Sequence, residues 1–336
     1  MHRLRNRVPS AIGLVFAFAS GALAQTQPAS PTKTQVVMLG TGTPLPDPER
    51  AGPSTALIVN GTGYLVDAGT GVVRRAAAAR DRGIKALEPK NLKIAFLTHL
   101  HSDHTLGLAD LILTPWTMGR TEPLELYGPP GTRSMVQHLL EAYAVDVKTR
   151  TEGLERSSPS GYHVNVHEIA AGLAYKDANI TVTAFDAHHG SIPAYGYRFE
   201  APDRTVVIGG DGSGKNEAPE NCRRCDVLIA EAYTLASFEM VSPQWKQYRQ
   251  AFHPSSTELA NVANRTKPAT LVLYHIGNAG CDQVGTQACR DAGSEMQLLA
   301  EIRKLYKRAE SFRSRSRRVL TGMRRNAPPK QLQPSV

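Results

Sequence analysis

An apolar strand pattern that runs directly into three histidines and an aspartate constrains this chain most. The run "KIAFLTH" is typical of a strand covered on both faces, and the polar cluster follows it in "THLHSDH". Residues two apart in an extended segment point the same way, so His99 and His101 project together. Asp103 and His104 lie on the following turn and can face a neighbouring point. Imidazoles and a carboxylate are suitable ligands for Zn²⁺, so this pattern predicts a metal centre.

Further candidate ligands follow other apolar runs, where strands are expected to end. His188 and His189 come after "ITVTAFDA", Asp211 comes after "TVVIGG", and His275 ends "LVLYH". Each of these alone could be a polar group that closes a strand, but their shared position at strand ends favours additional metal ligands. Asp67 in "VDAG" could accept a hydrogen bond from a ligand histidine, or it could be a turn residue.

The remaining pattern predicts an α/β fold. The first block contains strands such as "TQVVMLG" and "STALIVN" and the helices "VVRRAAAARDRG", "LGLADLILTPWTMG" and "TRSMVQHLLEAYAVDV". A second block, from "YHVNVHEI" to "SEMQLLAEIRKLY", repeats this style, and residues 149–162 between the blocks are predicted to be a loop or small arm. Two successive blocks of strands and helices fit a four-layer αβ/βα sandwich, with helices outside two facing sheets.

Both ends of the chain differ from its body. The basic "MHRLRNR", the apolar "AIGLVFAFASGALA" and small residues before Gln25 predict a secretory signal peptide over residues 1–24, cleaved after Ala24. The mature protein is then expected to be secreted or periplasmic, with no membrane segment. Residues 25–33 are predicted to be a linker, residues 34–305 the folded domain, and residues 306–336 a basic, disordered tail.

The formal net charge of +9 belongs to these ends. Residues 303–336 carry eleven basic residues against one acid, whereas residues 26–302 carry 25 basic and 29 acidic residues. The mildly acidic body is poorly suited to hold a long polyanion, although the tail could hold an anionic surface or nucleic acid.

The four cysteines are expected to form disulfides outside the cytoplasm. Cys222, Cys225, Cys281 and Cys289 allow three pairings, of which closure of the 281–289 loop is the simplest. The C-x-x-C segment could instead be a redox pair or half of a metal site.

Taken in order, "THLHSDH", "HHGSIPAYGYRFE", "GGD", "FHPSST" and "LYHI" resemble the metallo-β-lactamase superfamily. More narrowly, they resemble its ribonuclease Z and arylsulfatase-like branch of zinc phosphodiesterases, over about residues 34 to 305. The resemblance implies one metal ion held by His99, His101 and His189, a second held by Asp103, His104 and His275, and Asp211 as a bridging ligand. His189 is preferred to His188 because "HG" followed by "GYRF" matches the family pattern.

The resemblance implies hydrolysis by a hydroxide held between two Zn²⁺ ions, which Mn²⁺ or Fe²⁺ could replace. Asp103 would ligate one ion and accept the proton of the attacking water. His253 in "FHPSST" would stabilise or protonate the leaving oxygen; otherwise it is a surface histidine at a helix N-terminus. Glu231 in "LIAEAY" could orient His253, and Ala230 stands where the family's "HEAT" loop has a histidine.

The implied activity is cleavage of phosphodiester bonds, with the chemistry of an RNA 3′-processing endonuclease. The signal peptide, the acidic body and the lack of a long Gly- and Lys-rich arm in residues 149–162 point away from transfer RNA itself. The expected substrate is a small phosphodiester or an RNA, and an aryl sulfate ester is the alternative. A protein that binds metal and nucleic acid without turnover is the alternative of another class. The resemblance suggests a homodimer.

Overall fold

The computed structural model describes residues 34–48, 50–213, 218–276, 280–306 and 319–320. Strands β1 to β7 are Gln35–Gly40, Ser54–Val59, Thr62–Val66, Ile94–Phe96, Leu124–Gly128, Val164–Glu168 and Gly172–Lys176. Strands β8 to β13 are Thr181–Asp186, Tyr195–Glu200, Thr205–Ile208, Val227–Ala230, Thr270–Leu273 and Val319–Leu320. Helices α1 to α6 are Val72–Asp81, Ser102–Thr105, Leu108–Thr117, Thr132–Ala142, Ala144–Glu152 and Ala218–Asn221. Helices α7 to α12 are Leu235–Phe238, Pro243–Phe252, Ser256–Thr266, Cys281–Val284, Gln287–Ala292 and Glu295–Leu305.

The described strands form two mixed sheets. Sheet 1 has the order β13-β1-β2-β3-β4-β5-β6, and sheet 2 has the order β12-β11-β10-β9-β8-β7. Strands β3 to β6 are parallel neighbours in sheet 1, and β10 to β12 are parallel neighbours in sheet 2. The carboxyl ends of parallel strands meet at one edge of their sheet, and ligands commonly bind at such an edge in open α/β folds.

Apolar side chains fill the spaces between four layers. Ala76 of α1 and Leu111 of α3 pack on one face of sheet 1, and Leu259 of α9 packs on the outer face of sheet 2. Between the sheets, the ring of Phe96 meets that of Phe199 edge-on at 5.5 Å. Full burial of such a ring contributes roughly 1.5–3 kcal/mol to stability. The predicted four-layer αβ/βα sandwich is therefore confirmed.

Several elements differ from the sequence-based prediction. The helix predicted over residues 132–147 is two helices, because Tyr143 leaves the helical conformation between α4 and α5. Helix α5 extends to Glu152 and so includes the beginning of the predicted 149–162 loop. Helices α6, α7, α8, α10 and α11 and strands β7 and β13 were not predicted. Helix α5 and strand β7 bury few side chains, so their sequences lack the apolar periodicity that reveals an element.

The predicted signal peptide and linker lie outside the described residues, as does most of the predicted tail. Tyr306 is buried, and its hydroxyl donates a hydrogen bond of 3.3 Å to the Pro268 carbonyl oxygen, so the folded body reaches at least this residue. Farther along, Val319–Leu320 pair with β1 in parallel. In the described ranges, no helix is long and apolar enough to cross a membrane.

The cysteines form two local disulfides, Cys222–Cys225 and Cys281–Cys289. The second is the loop closure that the sequence favoured. The first joins the two cysteines of the C-x-x-C segment to each other. Local disulfides of this kind are typical of proteins that work in an oxidising compartment.

Replacement of Arg120 by methionine is expected to destabilise the fold strongly. Its buried guanidinium donates hydrogen bonds of 2.7–3.3 Å to the carbonyl oxygens of Leu92, Leu111, Ile112 and Gly161. Arg120→Met would remove all five of these buried, charge-assisted hydrogen bonds, so we expect the free energy of unfolding to fall by about 3–5 kcal/mol. Urea denaturation measures this change.

The matched control for this prediction is Arg74→Met. Arg74 is 82% exposed at its side chain and pairs with Asp110 on the surface, so this change should cost less than about 1 kcal/mol. Equal unfolding free energies for the two variants would contradict the structural role of Arg120.

Candidate metal centre

The predicted ligands follow the carboxyl ends of four strands, β4 of sheet 1 and β8, β10 and β12 of sheet 2. Strand β8 runs parallel to β10 because both are antiparallel to β9, so their carboxyl ends share one edge of sheet 2. The seven side chains lie after β4 (His99, His101, Asp103, His104), after β8 (His189), after β10 (Asp211) and after β12 (His275). Six of them are buried, and His101 is half-buried.

The loops after β8 and β10 approach each other closely at Gly212. A Cβ atom at this position would lie 1.9 Å from the Ala187 carbonyl oxygen, so only glycine fits. This contact brings the segment that carries Asp211 against the segment that carries His189. The sequence "GGDG" thus explains how the two loops can supply ligands to one place.

His99, His101 and His189 form a first group of three imidazoles. Their candidate ligand atoms all lie within 4.8 Å of one another, and His189 Nε2 is 3.2 Å from His101 Nδ1. His188 is exposed and has a positive φ of 56°, so the chain turns between the two consecutive histidines. The structure therefore brings His189, rather than His188, to the other two imidazoles.

The second group consists of Asp103, His104 and His275, whose candidate ligand atoms also lie within 4.8 Å of one another. His275 Nε2 lies 3.0 Å from Asp103 Oδ2, and His104 Nε2 lies 3.5 Å from the same oxygen. Asp211 Oδ2 is 3.3 Å from His104 Nε2 and 3.2 Å from His275 Nε2. The same oxygen is 4.0 Å from His99 Nε2 in the first group. Asp211 thus lies between the two groups, as a bridging ligand would.

The outward-facing nitrogens of two ligand candidates have acceptors that fix their tautomers. His104 Nδ1 lies 2.9 Å from Asp67 Oδ2, and His189 Nδ1 lies 2.8 Å from the Phe252 carbonyl oxygen. A carboxylate and a carbonyl can only accept, so each imidazole donates through Nδ1 and turns Nε2 inward.

Asp67 is held in a conformation that favours this role. Its φ is 63°, in the left-handed region, which costs a non-glycine residue about 1–3 kcal/mol. The carboxylate accepts hydrogen bonds from the Thr98 amide at 2.7 Å and the Thr98 hydroxyl at 3.0 Å, besides that from His104. These contacts hold Asp67 against Thr98, just before the turn that carries the candidate ligands. Asp67 is therefore a hydrogen-bond partner of a ligand candidate, as one of the two sequence interpretations had it.

The centre contains buried polar atoms without hydrogen bonds. His99 Nε2, His104 Nε2 and Asp211 Oδ1 have no hydrogen-bond partner among the described residues. Buried polar atoms are nearly always hydrogen-bonded, and inward-facing lone pairs repel one another unless a cation lies between them. Imidazole and carboxylate donors suit Zn²⁺ and similar divalent ions. The donor set therefore fits metal ions.

The first group is electrically neutral. Burial lowers the pKa of His99 well below its usual value, and the nearby His104 lowers it further. Burial also lowers the pKa of His101 and of His189. Neutral imidazoles with free lone pairs are the form in which histidine binds metal.

The second group lies in a negative electrostatic field. Burial alone would lower the pKa of His104, but Asp211 and Asp67 raise it to about 10. At His275 the same carboxylate of Asp211 and a hydrogen bond to Asp103 outweigh burial and raise the pKa. The carboxylates thus stabilise positive charge at this point, and a divalent cation would supply that charge.

His253 and Glu231 form a buried pair beside the second group. His253 ends α8 and lies 2.8 Å, through Nδ1, from both carboxylate oxygens of Glu231. Burial lowers the pKa of His253, but the Glu231 carboxylate outweighs burial and raises it. Glu231 also accepts from the Gly212 amide at 3.0 Å and lies 3.4 Å from His275 Nδ1. His253 is therefore not a surface histidine, and the alternative interpretation of it is wrong.

The segment after His253 is anchored on both sides. Ser255 and Glu258 form a capping box that begins α9, as the serines in the sequence predicted. The Ser256 amide donates a hydrogen bond of 2.8 Å to the Tyr233 carbonyl oxygen, just after β11. Helix α9 and the end of β11 thus position the His253 loop against Glu231.

Three contacts at the centre escaped the sequence analysis. Thr98 and the carbonyl group of Phe252 orient ligand candidates, and the Tyr248 hydroxyl lies 3.4 Å from His253 Nε2. A backbone carbonyl leaves no trace in the sequence. Tyr248 belongs to α8, a helix whose pattern did not reveal it.

Comparison with known proteins agrees with this geometry. The model of the β-lactamase superfamily domain matches residues 62–276. Ribonuclease Z of Mycobacterium bovis is 33% identical over 246 residues, covering 72% of this chain and 85% of the relative. Ribonuclease Z of Mycobacterium sp. strain KMS is 37% identical over 253 residues, covering 72% and 83%.

Solved structures give the same result. The short form of human tRNase Z has a TM-score of 0.58 and 26% identity, covering 72% of this chain and 92% of that chain. The metallo-β-lactamase fold protein YhfI from Bacillus subtilis has a TM-score of 0.60 and 18% identity, covering 82% and 94%. The chain therefore belongs to the metallo-β-lactamase superfamily, in the branch that contains the ribonucleases Z.

Proposed function

We propose that this protein is a metal-dependent hydrolase of the ribonuclease Z type, which cleaves phosphodiester bonds with two zinc ions. The observation that carries the proposal is the position of Asp211 Oδ2, 3.2–4.0 Å from imidazole nitrogens of both donor groups. The relatives named ribonuclease Z and tRNase Z support the same reaction class.

The two donor groups define the proposed ligand sets. One ion would be held by His99, His101 and His189, the other by Asp103, His104 and His275, with Asp211 shared. Two divalent ions, when bound, would lower the pKa of a water molecule and neutralise negative charge on a phosphoryl oxygen.

The remaining steps belong to side chains of this protein. Asp103 lies at the centre and is 6% exposed, so it can accept the proton of the attacking water. Glu231 holds Nδ1 of His253, which leaves Nε2 to face a substrate. We assign to His253 Nε2 the transfer of a proton to the leaving oxygen as its bond to phosphorus breaks.

The proposed substrate is an RNA or a small phosphodiester. The names of the relatives favour RNA, whereas the acidic body favours a substrate smaller than a transfer RNA. We also propose that the protein is exported through the signal peptide over residues 1–24, and two local disulfides are consistent with a periplasmic or secreted location. The homodimer suggested by the resemblance stays a prediction.

The proposed function is tested by offering two esters in parallel. Zinc-loaded protein should hydrolyse bis(p-nitrophenyl) phosphate, and EDTA should abolish this hydrolysis. Hydrolysis of p-nitrophenyl sulfate alone would make the protein an aryl sulfate esterase. A zinc-loaded protein that hydrolyses neither ester, and no RNA, would be a metal-binding protein without turnover.

Removal of metal is expected to lower thermal stability. Ions that bind only the folded state stabilise it by about 2.7 kcal/mol at a hundredfold excess over Kd. We therefore expect EDTA to lower the Tm of zinc-loaded protein by roughly 5–10 °C. His99→Ala should abolish most of this difference, whereas His138→Ala, with its side chain 72% exposed, should keep it. An equal EDTA effect on the two variants would contradict the ligand assignment.

A further inference from the structure

The hydroxyl of Tyr248 lies beside the nitrogen to which we assign proton transfer. Its oxygen is 3.4 Å from His253 Nε2, while Nδ1 of the same ring is engaged by Glu231. A substrate atom that contacts His253 Nε2 therefore also lies within reach of the Tyr248 hydroxyl. Neither the sequence patterns nor the family resemblance pointed to this residue.

The ring of Tyr248 is fixed by its neighbours. It stacks on Phe252 at 4.7 Å between ring centroids, and Trp245 meets it edge-on at 5.2 Å. The carbonyl group of Phe252 accepts the hydrogen bond of His189 Nδ1. One helix, α8, thus positions both the phenol and a metal-ligand candidate.

The hydroxyl faces the acidic interior of the centre. Burial raises the pKa of Tyr248 to about 12, and the carboxylates of Asp211, Glu231 and Asp103 contribute to the rise. The phenol therefore keeps its proton at neutral pH and can donate a hydrogen bond. A neutral donor among carboxylates is suited to meet negative charge that develops on a substrate.

We propose that Tyr248 is a further catalytic residue, whose hydroxyl donates a hydrogen bond to the leaving oxygen of the phosphodiester. This role rests on the proposed function. Two donors 3.4 Å apart can both reach one oxygen at about 2.8 Å, as in an oxyanion hole.

The step balances without a further reactant. The oxygen of water forms a bond to phosphorus, and its proton passes to Asp103. The bond from phosphorus to the leaving oxygen breaks, and the electron pair stays on that oxygen. His253 Nε2 gives it a proton, while Tyr248 donates a hydrogen bond and keeps its own proton.

The test compares Tyr248→Phe with the wild-type protein on two zinc-dependent reactions. One substrate is methyl p-nitrophenyl phosphate, a good leaving group, and the other is methyl phenyl phosphate, a poor one. We expect kcat on the phenyl ester to fall about 10²-fold, because a more basic leaving oxygen depends on its donors. On the p-nitrophenyl ester the loss should be below about fivefold, with KM within about twofold and bound zinc unchanged.

Tyr143→Phe is the matched control, because Tyr143 is 42% exposed and lies between α4 and α5. It should behave as wild type on both esters. Equal losses of Tyr248→Phe on the two esters, a loss in KM alone, or no loss would overturn the role of Tyr248 while the active wild type keeps the proposed function. A zinc-loaded wild-type protein that hydrolyses neither ester and no RNA would overturn both.

Discussion

Asp211→Asn is expected to reduce phosphodiester hydrolysis by about 10³-fold or more. Changing even an outer partner of a metal ligand typically costs 10- to 100-fold, and Asp211 Oδ2 lies between both donor groups. The amide keeps the shape of the side chain but loses the negative charge that two cations would share. We expect bound zinc to fall below two equivalents per chain at the same time.

The measurement pairs steady-state kinetics with metal analysis of the same samples. Asp146→Asn is the matched control, because this carboxylate lies on α5 with its side chain 40% exposed. It should keep wild-type activity and zinc. An Asp211→Asn variant that retains both full activity and two zinc ions would show that Asp211 is not a bridging ligand.

His253→Ala is expected to lower kcat by about 10²- to 10⁴-fold while zinc content stays at the wild-type level. A positioned proton donor contributes this much, and Glu231 engages His253 through Nδ1 at 2.8 Å, so that Nε2 is the nitrogen that can meet the leaving oxygen. Glu231→Gln should cost less, about 10- to 100-fold, because the imidazole remains but loses its charged partner.

Kinetics on the zinc-loaded variants distinguish catalysis from metal binding. His138→Ala, an exposed histidine on α4, serves as the control that keeps full activity. A loss of zinc in His253→Ala would make His253 a metal ligand rather than a proton donor. A loss in kcat below tenfold would show that His253 is not the proton donor.

The four candidate ligands that follow β4 were predictable because their spacing in the sequence determines their positions. His99, His101, Asp103 and His104 occupy one strand end and one turn, so their proximity follows from backbone geometry alone. The other three ligands could be predicted from the sequence only as candidates. These ligands are His189, Asp211 and His275. They lie beside the first four because the ends of β4, β8, β10 and β12 come together, which is a property of the topology.

The residue pattern alone could not decide whether His188 or His189 is the candidate ligand. The two are adjacent and chemically identical, and only the family pattern favoured His189. The structure brings His189 to His101 at 3.2 Å and leaves His188 exposed, through a positive φ at His188. The loop after β10 lies against this turn, since a Cβ atom at Gly212 would lie 1.9 Å from the Ala187 carbonyl oxygen.

The elements that escaped prediction are those that bury little. In α8, Trp245, Tyr248 and Phe252 share one face but are only partly buried, and Arg249 is the one buried residue, so the helix that carries Tyr248 and positions His253 lacks the fully buried stripe of a core helix. Contacts made by backbone atoms, such as the Phe252 carbonyl with His189, were invisible for a different reason. The chemistry of the ligands could therefore be read from the sequence, but the contacts that orient them could not.

The most direct test of the central claim is a zinc titration of metal-free protein, with bis(p-nitrophenyl) phosphate hydrolysis and bound zinc measured at each step. We expect two bound zinc ions per chain, with hydrolysis rising to its maximum as the second site fills. Full hydrolysis with one equivalent bound, or hydrolysis that persists with no bound metal, would contradict a two-ion centre bridged by Asp211.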